Sequence, residues 1–404
     1  MKKYVIIGAS AAGISALSRI YQLDSSSHIT CISDEVSRPY NKCFLADYGL
    51  KIKTHEQLYI MDPSKYDPER VVFIQPARVI DINTTYCSVY TQCGKEIKYD
   101  ILFIGSGARP LCPVLFAKIS SDKIFHFYSL HDVDRLCAYI NTQRPRRALV
   151  VGAGLSGIEC ADVLQSAGVQ TFVCERNSLP LAGGLDELSY QYIYNAARNS
   201  GVEIHTNAHI NHVLERPDGE IEVHTLDKVW VVDIVIIAVG TKPNTDFISY
   251  ESSIILENGR IVVDGLMRTT VSNVYAGGDV IMTNHMLTGD RGASTVWPDA
   301  MLHGTLAAYA MMNKSKPYPG IFPIVSSAFF GIKYASVGVP QLIGAETKIV
   351  CINSGVTYRA IWVNEHGQLR AFIECGPQLC LSRLRQLMVT KTCVTPEIVA
   401  ELRV

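Results

Sequence analysis

The chain has no long apolar run, no charge excess of either sign and no ordered cysteine pattern. No stretch reaches the roughly 18 apolar residues that a membrane span needs. Lys and Arg (37) balance Asp and Glu (38), for a net charge of −1. There is thus no basic surplus to draw nucleic acid or an anionic membrane surface. The 12 cysteines are irregularly spaced and include no CxxC pair. That argues against a disulfide framework or a zinc site, and no metal is expected. The cytoplasm is the natural compartment, where a buried thiol is simply a small apolar residue. One segment imitates a secretory leader: Met1-Lys2-Lys3, an apolar stretch, then Ala9-Ser10-Ala11. The stretch is short and its pattern recurs internally, so it reads as folded structure. A chain of 404 residues, 48% of them hydrophobic, implies two or three domains.

What is present is a repeated turn. Tyr4-Val5-Ile6-Ile7-Gly8-Ala9-Ser10-Ala11-Ala12-Gly13 has a counterpart in Leu149-Val150-Val151-Gly152-Ala153-Gly154-Leu155-Ser156-Gly157. Each begins as a buried parallel strand, turns on glycine and opens a helix of small residues. Such a turn brings backbone close to a pyrophosphate, and the helix N-terminus offers it N–H groups and a positive dipole. Ser10 occupies a position usual for glycine, and its hydroxyl can itself donate to phosphate. About twenty residues beyond each turn, an acid follows the second strand: Asp34 or Glu35 in one copy, Glu175 in the other. An acid there accepts hydrogen bonds from ribose hydroxyls. Two such units imply two dinucleotides.

Three more landmarks follow. Tyr99–Pro110 is a buried strand ending in Gly105-Ser106-Gly107-Ala108-Arg109. Asp233–Asn244 repeats that design through Ala238-Val239-Gly240, and Val274–Val280 runs into Gly277-Gly278-Asp279. Together these motifs, from about residue 3 to 320, resemble the two-dinucleotide-binding-domain flavoproteins of the pyridine nucleotide–disulfide oxidoreductase superfamily. The resemblance implies an α/β fold with two Rossmann-like domains and a small α+β C-terminal domain. An FAD domain would take 1–110 plus 241–320, an NAD(P)H domain 111–240, and an interface domain 321–404, the last supporting a homodimer or covering the flavin. Gly8, Ser10, Ala11, Ala12, Gly13, Asp34, Glu35, Lys42, Ser106, Gly107, Arg109, Gly278, Asp279, Trp297 and Ala300 are then expected at FAD, with Asp34 preferred over Glu35 for the ribose. Gly152, Gly154, Leu155, Ser156, Gly157, Glu159, Glu175, Val239 and Gly240 are expected at NAD. Glu175 would repel a 2′-phosphate and favour NADH, while the adjacent Arg176 keeps NADPH open. Glu159 matches a position near the nicotinamide; its alternative reading is a carboxylate on the helix surface.

The segment Arg38-Pro39-Tyr40-Asn41-Lys42-Cys43-Phe44-Leu45-Ala46-Asp47 points two ways. It is similar to the Pro-Tyr-Asp-Arg-Pro-Pro-Leu-Ser-Lys segment of rubredoxin, ferredoxin and nitrite reductase flavoproteins, but Asp47 stands where those carry a flavin-adjacent lysine. In the same register, Cys43 falls where coenzyme A disulfide reductases and NADH oxidases carry their redox cysteine. Cys43 is therefore either a redox thiol or a packed cysteine lining the flavin site. Ser294–Gly304 resembles the Trp-Pro-x-Ala segment of the first group, where a helix N-terminus faces the flavin; Asp299 and His303 read equally well as ordinary helix-start and surface residues. Cys375 and Cys380 have CxxxxC spacing, but they lie in the tail, away from the first glycine turn where such a redox pair belongs.

The expected function is FAD-dependent oxidation of NADH, with electrons passing to a small redox protein, oxygen or a quinone. The alternatives are a Cys43-dependent NADH oxidase or coenzyme A disulfide reductase, or a redox-sensing binding protein resembling apoptosis-inducing factor.

Overall fold

The computed structural model describes all residues except 120, 182–183, 287–288, 315–316, 323, 338–345 and 404. The chain divides into two compact units. One comprises Met1–Phe44, Lys53–Arg109 and Thr241–Phe322; the other comprises Leu45–Ile52, Pro110–Gly240 and Pro323–Val404.

The first unit is built on a parallel sheet of five strands, in the order Val274–Ala276, Ile101–Ile104, Lys3–Ile7, His28–Ile32, Val71–Ile74. The apolar runs of the sequence account for the central strands, which are buried on both faces as parallel strands must be. Tyr4, Val5, Ile6, Leu102, Phe103 and Ile104 are all 2% exposed or less. The strand order reverses beside Lys3–Ile7, whose neighbours are His28–Ile32 on one side and Ile101–Ile104 on the other. In a doubly wound sheet, ligands bind in the crevice at this switch point, outside the carboxyl ends of the strands. The helix Ala11–Leu23 follows the first strand and packs against Trp297–Met311. Their closeness rests on Gly304, where a Cβ would come within 2.0 Å of the Ala12 carbonyl oxygen.

The second unit repeats the plan. Its parallel sheet runs Val202–His205, Gln170–Cys174, Arg147–Val151, Ile234–Ile237, Ile124–His126. The order again reverses beside the strand that enters the glycine turn. The helix Leu155–Ser166 follows that strand. The segment Leu45–Ile52, which opens with the short helix Leu45–Gly49, belongs to this unit, although the chain on both sides of the segment belongs to the other. It packs on Leu155–Ser166, and a Cβ on Gly49 would meet both γ-methyls of Val163 at 2.9 Å.

The tail forms an antiparallel sheet in the order Ile324–Phe329, Ile332–Val337, Leu369–Gly376, Tyr358–Val363, Thr347–Asn353, followed by the helices Leu381–Thr390 and Pro396–Glu401. Three of these strands contain short apolar or alternating runs of the sequence: Lys348–Ile352, Tyr358–Val363 and Leu369–Ile373. Within it, Arg359 and Glu374, 2% and 1% exposed, form a buried ion pair, and Arg359 also donates to the Leu402 carbonyl.

Replacing Gly304 with alanine sets helix propensity, a gain of up to about 1 kcal/mol, against a backbone collision. Overpacking costs about 1–3 kcal/mol, so Gly304→Ala is expected to lower stability in urea denaturation. A gain in stability would contradict the close helix contact.

Candidate functional site

Both glycine turns have the same geometry. At Gly8, φ is +99°, the N–H donates to the Ile32 carbonyl at 2.8 Å, and a Cβ would lie 2.2 Å from the Gly105 oxygen. At Gly152, φ is +100°, the N–H donates to the Cys174 carbonyl at 2.8 Å, and a Cβ would lie 2.4 Å from the Ala238 oxygen. The left-handed backbone and the carbonyl contact together exclude any side chain. The third glycine of each turn packs its helix onto the first: a Cβ on Gly13 would reach 1.8 Å from the Gly8 oxygen, and one on Gly157 2.0 Å from the Gly152 oxygen. The first intrahelical bonds are Ile14 N–H to Ser10 and Ile158 N–H to Gly154. The amides of Ala11, Ala12 and Gly13, and those of Leu155, Ser156 and Gly157, therefore precede each ladder and remain as donors. Ser10 caps its helix without a side-chain bond to it.

In the first unit an open cleft begins at this turn and is lined by Gly8, Ser33, Asp34, Arg78, Ser106, Arg109, Asn244 and Asp246, among others. Asp34 lies on its wall. Glu35 is engaged elsewhere, in an ion pair with Lys42 at 2.9 Å and as acceptor of the Tyr40 hydroxyl at 2.7 Å. Arg109 donates to Asn244 Oδ1 at 2.9 Å and pairs with Asp246. Ser106 Oγ donates to the Asn244 carbonyl at 2.7 Å, and the Asn244 side chain donates back to the Ser106 carbonyl at 2.9 Å. Asn244 thus locks the turn containing Ser106 and Gly107. The sequence gives no role to Asn244, which closes the Asp233–Asn244 motif, or to Asp246; they lie 135 and 137 positions from Arg109. Cys43 is exposed in the 3₁₀ turn Lys42–Phe44, with its N–H donating to Asn41 Oδ1 at 2.9 Å.

The Gly277-Gly278-Asp279 turn is held from beneath by His303. Gly278 N–H donates to its Nδ1 at 3.2 Å, and the ring meets Tyr318 edge-on with centroids 4.6 Å apart. The surface reading of His303 and Asp299 is corrected here: they are 0% and 8% exposed. His303 supports the glycine turn, and Asp299 accepts the Ser294 hydroxyl at 2.6 Å. Burial pushes His303 down to about 4 and raises Asp279, against the opposing charges of Arg260 and Lys42. Ala300 is buried beside Gly278, and Trp297 is the half-buried first residue of its helix.

In the second unit Glu175 is 8% exposed. Its two oxygens accept from the N–H groups of Ala153 and Asn177, both at 2.8 Å. Arg176 beside it is exposed. Val239 and Gly240 are exposed at the turn after Ile234–Ile237. Glu159 is half-buried on its helix and accepts the Ser327 hydroxyl at 2.5 Å. Burial raises it to about 7, with Asp47 adding to the effect and the Ser327 bond opposing it. The tail cysteines do not form a pair: Cys375 is buried and Cys380 half-buried, both as thiols. His205, His209 and His212 are close in sequence, but no group of three or more His, Cys, Asp or Glu able to hold a metal occurs among the described residues. Nor is any described helix long and apolar enough to cross a membrane.

The depressed His303 gives a signed pH dependence. Between pH 6.5 and about 4 the unfolded chain binds a proton that the native ring refuses, so stability is full above 6.5 and falls as pH drops through this window. The loss is at most about 3 kcal/mol at 1.36 kcal/mol per pH unit. His303→Gln is expected to remove this component, as measured by the difference between mutant and wild-type urea midpoints across pH.

With this geometry established, the comparisons with known proteins place the chain. The family model for pyridine nucleotide-disulphide oxidoreductases matches residues 2–304. A coenzyme A disulfide reductase of Staphylococcus epidermidis is 28% identical over 348 residues, covering 84% of this chain and 77% of the relative. The 3-phenylpropionate/cinnamic acid dioxygenase ferredoxin–NAD(+) reductase component of Photorhabdus laumondii is 25% identical over 338 residues, covering 84% of each. The solved NAD-dependent persulfide reductase from A. fulgidus superposes with a TM-score of 0.89 at 21% identity, over 97% of this chain and 77% of that one. The chain belongs to the pyridine nucleotide-disulphide oxidoreductase family and is an NAD(P)H-dependent oxidoreductase that works with a flavin.

Proposed function

We propose that the protein carries FAD on its first unit and NADH on its second, oxidising NADH and delivering electrons to a small redox protein, oxygen or a quinone. The observation that carries this reading is the duplicated turn, in which each of two switch-point strands ends in a backbone cradle closed to side chains. The first cradle fits FAD. Gly8 and Gly13 leave backbone alone against the pyrophosphate, the amides of Ala11 to Gly13 supply donors, and Asp34 on the cleft wall accepts from ribose. Lys42, Ser106, Gly107, Arg109, Gly278, Asp279, Trp297 and Ala300 complete this side. When bound, FAD accepts two electrons as hydride and releases them singly or together.

The residues of the second unit position the donor. Gly152, Gly154 and Gly157 admit the pyrophosphate, and the amides of Leu155 to Gly157 hold it. The Glu175 carboxylate lies at the end of the strand where the ribose hydroxyls are read, and its charge disfavours a 2′-phosphate. The C-terminal sheet is assigned to an interface between copies. A reductase function is supported by relatives that pass electrons between NAD(+) and ferredoxin or to coenzyme A disulfide.

The test is spectroscopic. The purified protein is expected to be yellow and to bleach on anaerobic addition of NADH, and more readily than with NADPH. Gly8→Val is expected to abolish flavin retention. Gly152→Val is expected to keep the flavin but raise the NADH concentration for half-reduction at least about tenfold, equivalent to 1.4 kcal/mol. A colourless wild-type protein, or equal loss of flavin in both variants, would sink the assignment of one cofactor to each unit.

A second reading rests on Cys43, an exposed residue of the turn Lys42–Phe44. On that reading the thiol attacks a disulfide acceptor. Cys43→Ser should then remove disulfide reduction while NADH still bleaches the flavin; undiminished disulfide turnover would dismiss it.

A further inference from the structure

The antiparallel sheet of the tail reaches the second glycine turn through a short chain of hydrogen bonds. Tyr334, 1% exposed in the strand Ile332–Val337, donates its hydroxyl to the Gly184 carbonyl at 2.7 Å and shares a 2.8 Å bond with the Ser336 hydroxyl. Gly184 N–H donates to the Leu181 carbonyl at 2.9 Å, and Leu181 N–H donates to the Ala153 carbonyl at 2.8 Å. Ala153 is fully buried inside the turn, and its N–H already donates to Glu175. Two features show that the chain of bonds is built into the sequence. Leu181 holds a left-handed φ of +57°, a conformation that a residue with a side chain keeps only where its surroundings impose it. Gly184 is not among the left-handed glycines, yet a Cβ there would come 2.5 Å from the Tyr334 hydroxyl oxygen and 3.1 Å from Ser336 Oγ. The approach of the tyrosine, not the backbone, calls for glycine. Two residues further on the tail takes a second hold: Asp186 accepts the Tyr358 hydroxyl at 2.5 Å and pairs with Lys348 at 2.6 Å.

We propose that Tyr334 is a positioning residue for the nucleotide cradle of the second unit, holding Ala153 in place through Gly184 and Leu181. The proposal rests on the reading of that cradle as the NADH site. The amides offered to the nucleotide begin at Leu155, two residues after Ala153, so a shift at Ala153 re-aims them. The Tyr334 hydroxyl is spent on Gly184 and Ser336, and it acts on the cradle rather than on the nucleotide. Without it the Gly184 carbonyl loses its buried donor, and the bond from Leu181 to Ala153 is held from one side fewer. The fraction of molecules with a preformed turn then falls, and apparent affinity falls with that fraction. The complex, once formed, is the same complex. Loss of the hydroxyl therefore raises the NADH concentration required and leaves the limiting rate of hydride transfer alone.

The test uses Tyr334→Phe, which keeps the buried ring and removes the hydroxyl. In the protein without nicotinamide nucleotide, amide hydrogen exchange, read by mass spectrometry on fragments containing Leu181, should be at least about threefold faster than in wild type. Anaerobic stopped-flow reduction of the flavin should show the half-saturating NADH concentration raised at least about threefold, with the limiting rate and flavin content unchanged. Gly184→Ala should raise it as well. Added to Tyr334→Phe, it should raise it by less than it does alone, because the hydroxyl that its Cβ meets is gone. Ile361→Val, at a fully buried position of the same sheet outside this chain of bonds, separates positioning from general stability. It should lower the urea midpoint and leave half-saturation at the wild-type value. Wild-type exchange at Leu181 or wild-type half-saturation in Tyr334→Phe overturns the proposal, and so do additive effects of the two substitutions or an equal rise in Ile361→Val. Failure of NADH to reduce the wild-type flavin at any concentration, with the exchange response intact, overturns the NADH reading instead.

Discussion

The architecture depends on one close approach made twice: a glycine carrying a left-handed backbone, pressed against the carbonyl that ends the neighbouring strand. At Gly8 the neighbour is Gly105, and at Gly152 it is Ala238. The contact fixes the switch point of each sheet, sets the start of the following helix and keeps side chains away from the crevice. Helix packing follows from it, because Gly13 and Gly157 can rest on the first glycine's carbonyl only if that turn is tight. The amides left ahead of each helix ladder, on which the proposed nucleotide sites depend, are another result of the same turn.

The sequence shows these turns because they are local. Glycine spacing, the preceding apolar run and the following small residues lie within about a dozen positions, and steric exclusion leaves little choice of residue. The strands of the tail are legible for a similar reason, through short alternating or apolar runs. Pairings across long separations are not. Ser327 meets Glu159 across 168 positions, and Asn244 meets Ser106 across 138. No periodicity encodes such contacts. The placement of Leu45–Gly49 is likewise hidden, since a five-residue helix carries too little pattern to say which unit it joins.

Charge is handled differently beside the two proposed nucleotide sites. In the first, acids are offset by bases: Glu35 by Lys42, Asp246 by Arg109, and Asp279 partly by Arg260 and Lys42. In the second, burial raises Glu159, and Glu175 accepts from two backbone amides. An anionic cofactor that is retained suits a site whose acids are already compensated. A donor that arrives, reacts and leaves as a more positive species suits one whose acids are held by weaker means.

Glu175 carries one more implication. Because one of its oxygens bonds the Ala153 amide inside the glycine turn, the side chain proposed to discriminate between nucleotides is also a strut of that turn. On the proposed reading, discrimination and rigidity are mechanically linked: removing the carboxylate to admit a phosphorylated ribose also frees the Ala153 and Asn177 amides and loosens the turn. Arg176, exposed and next in the chain, is not tied to the turn in this way. On the same proposed reading, it is the position through which preference for one nicotinamide over the other can drift while the loop keeps its shape.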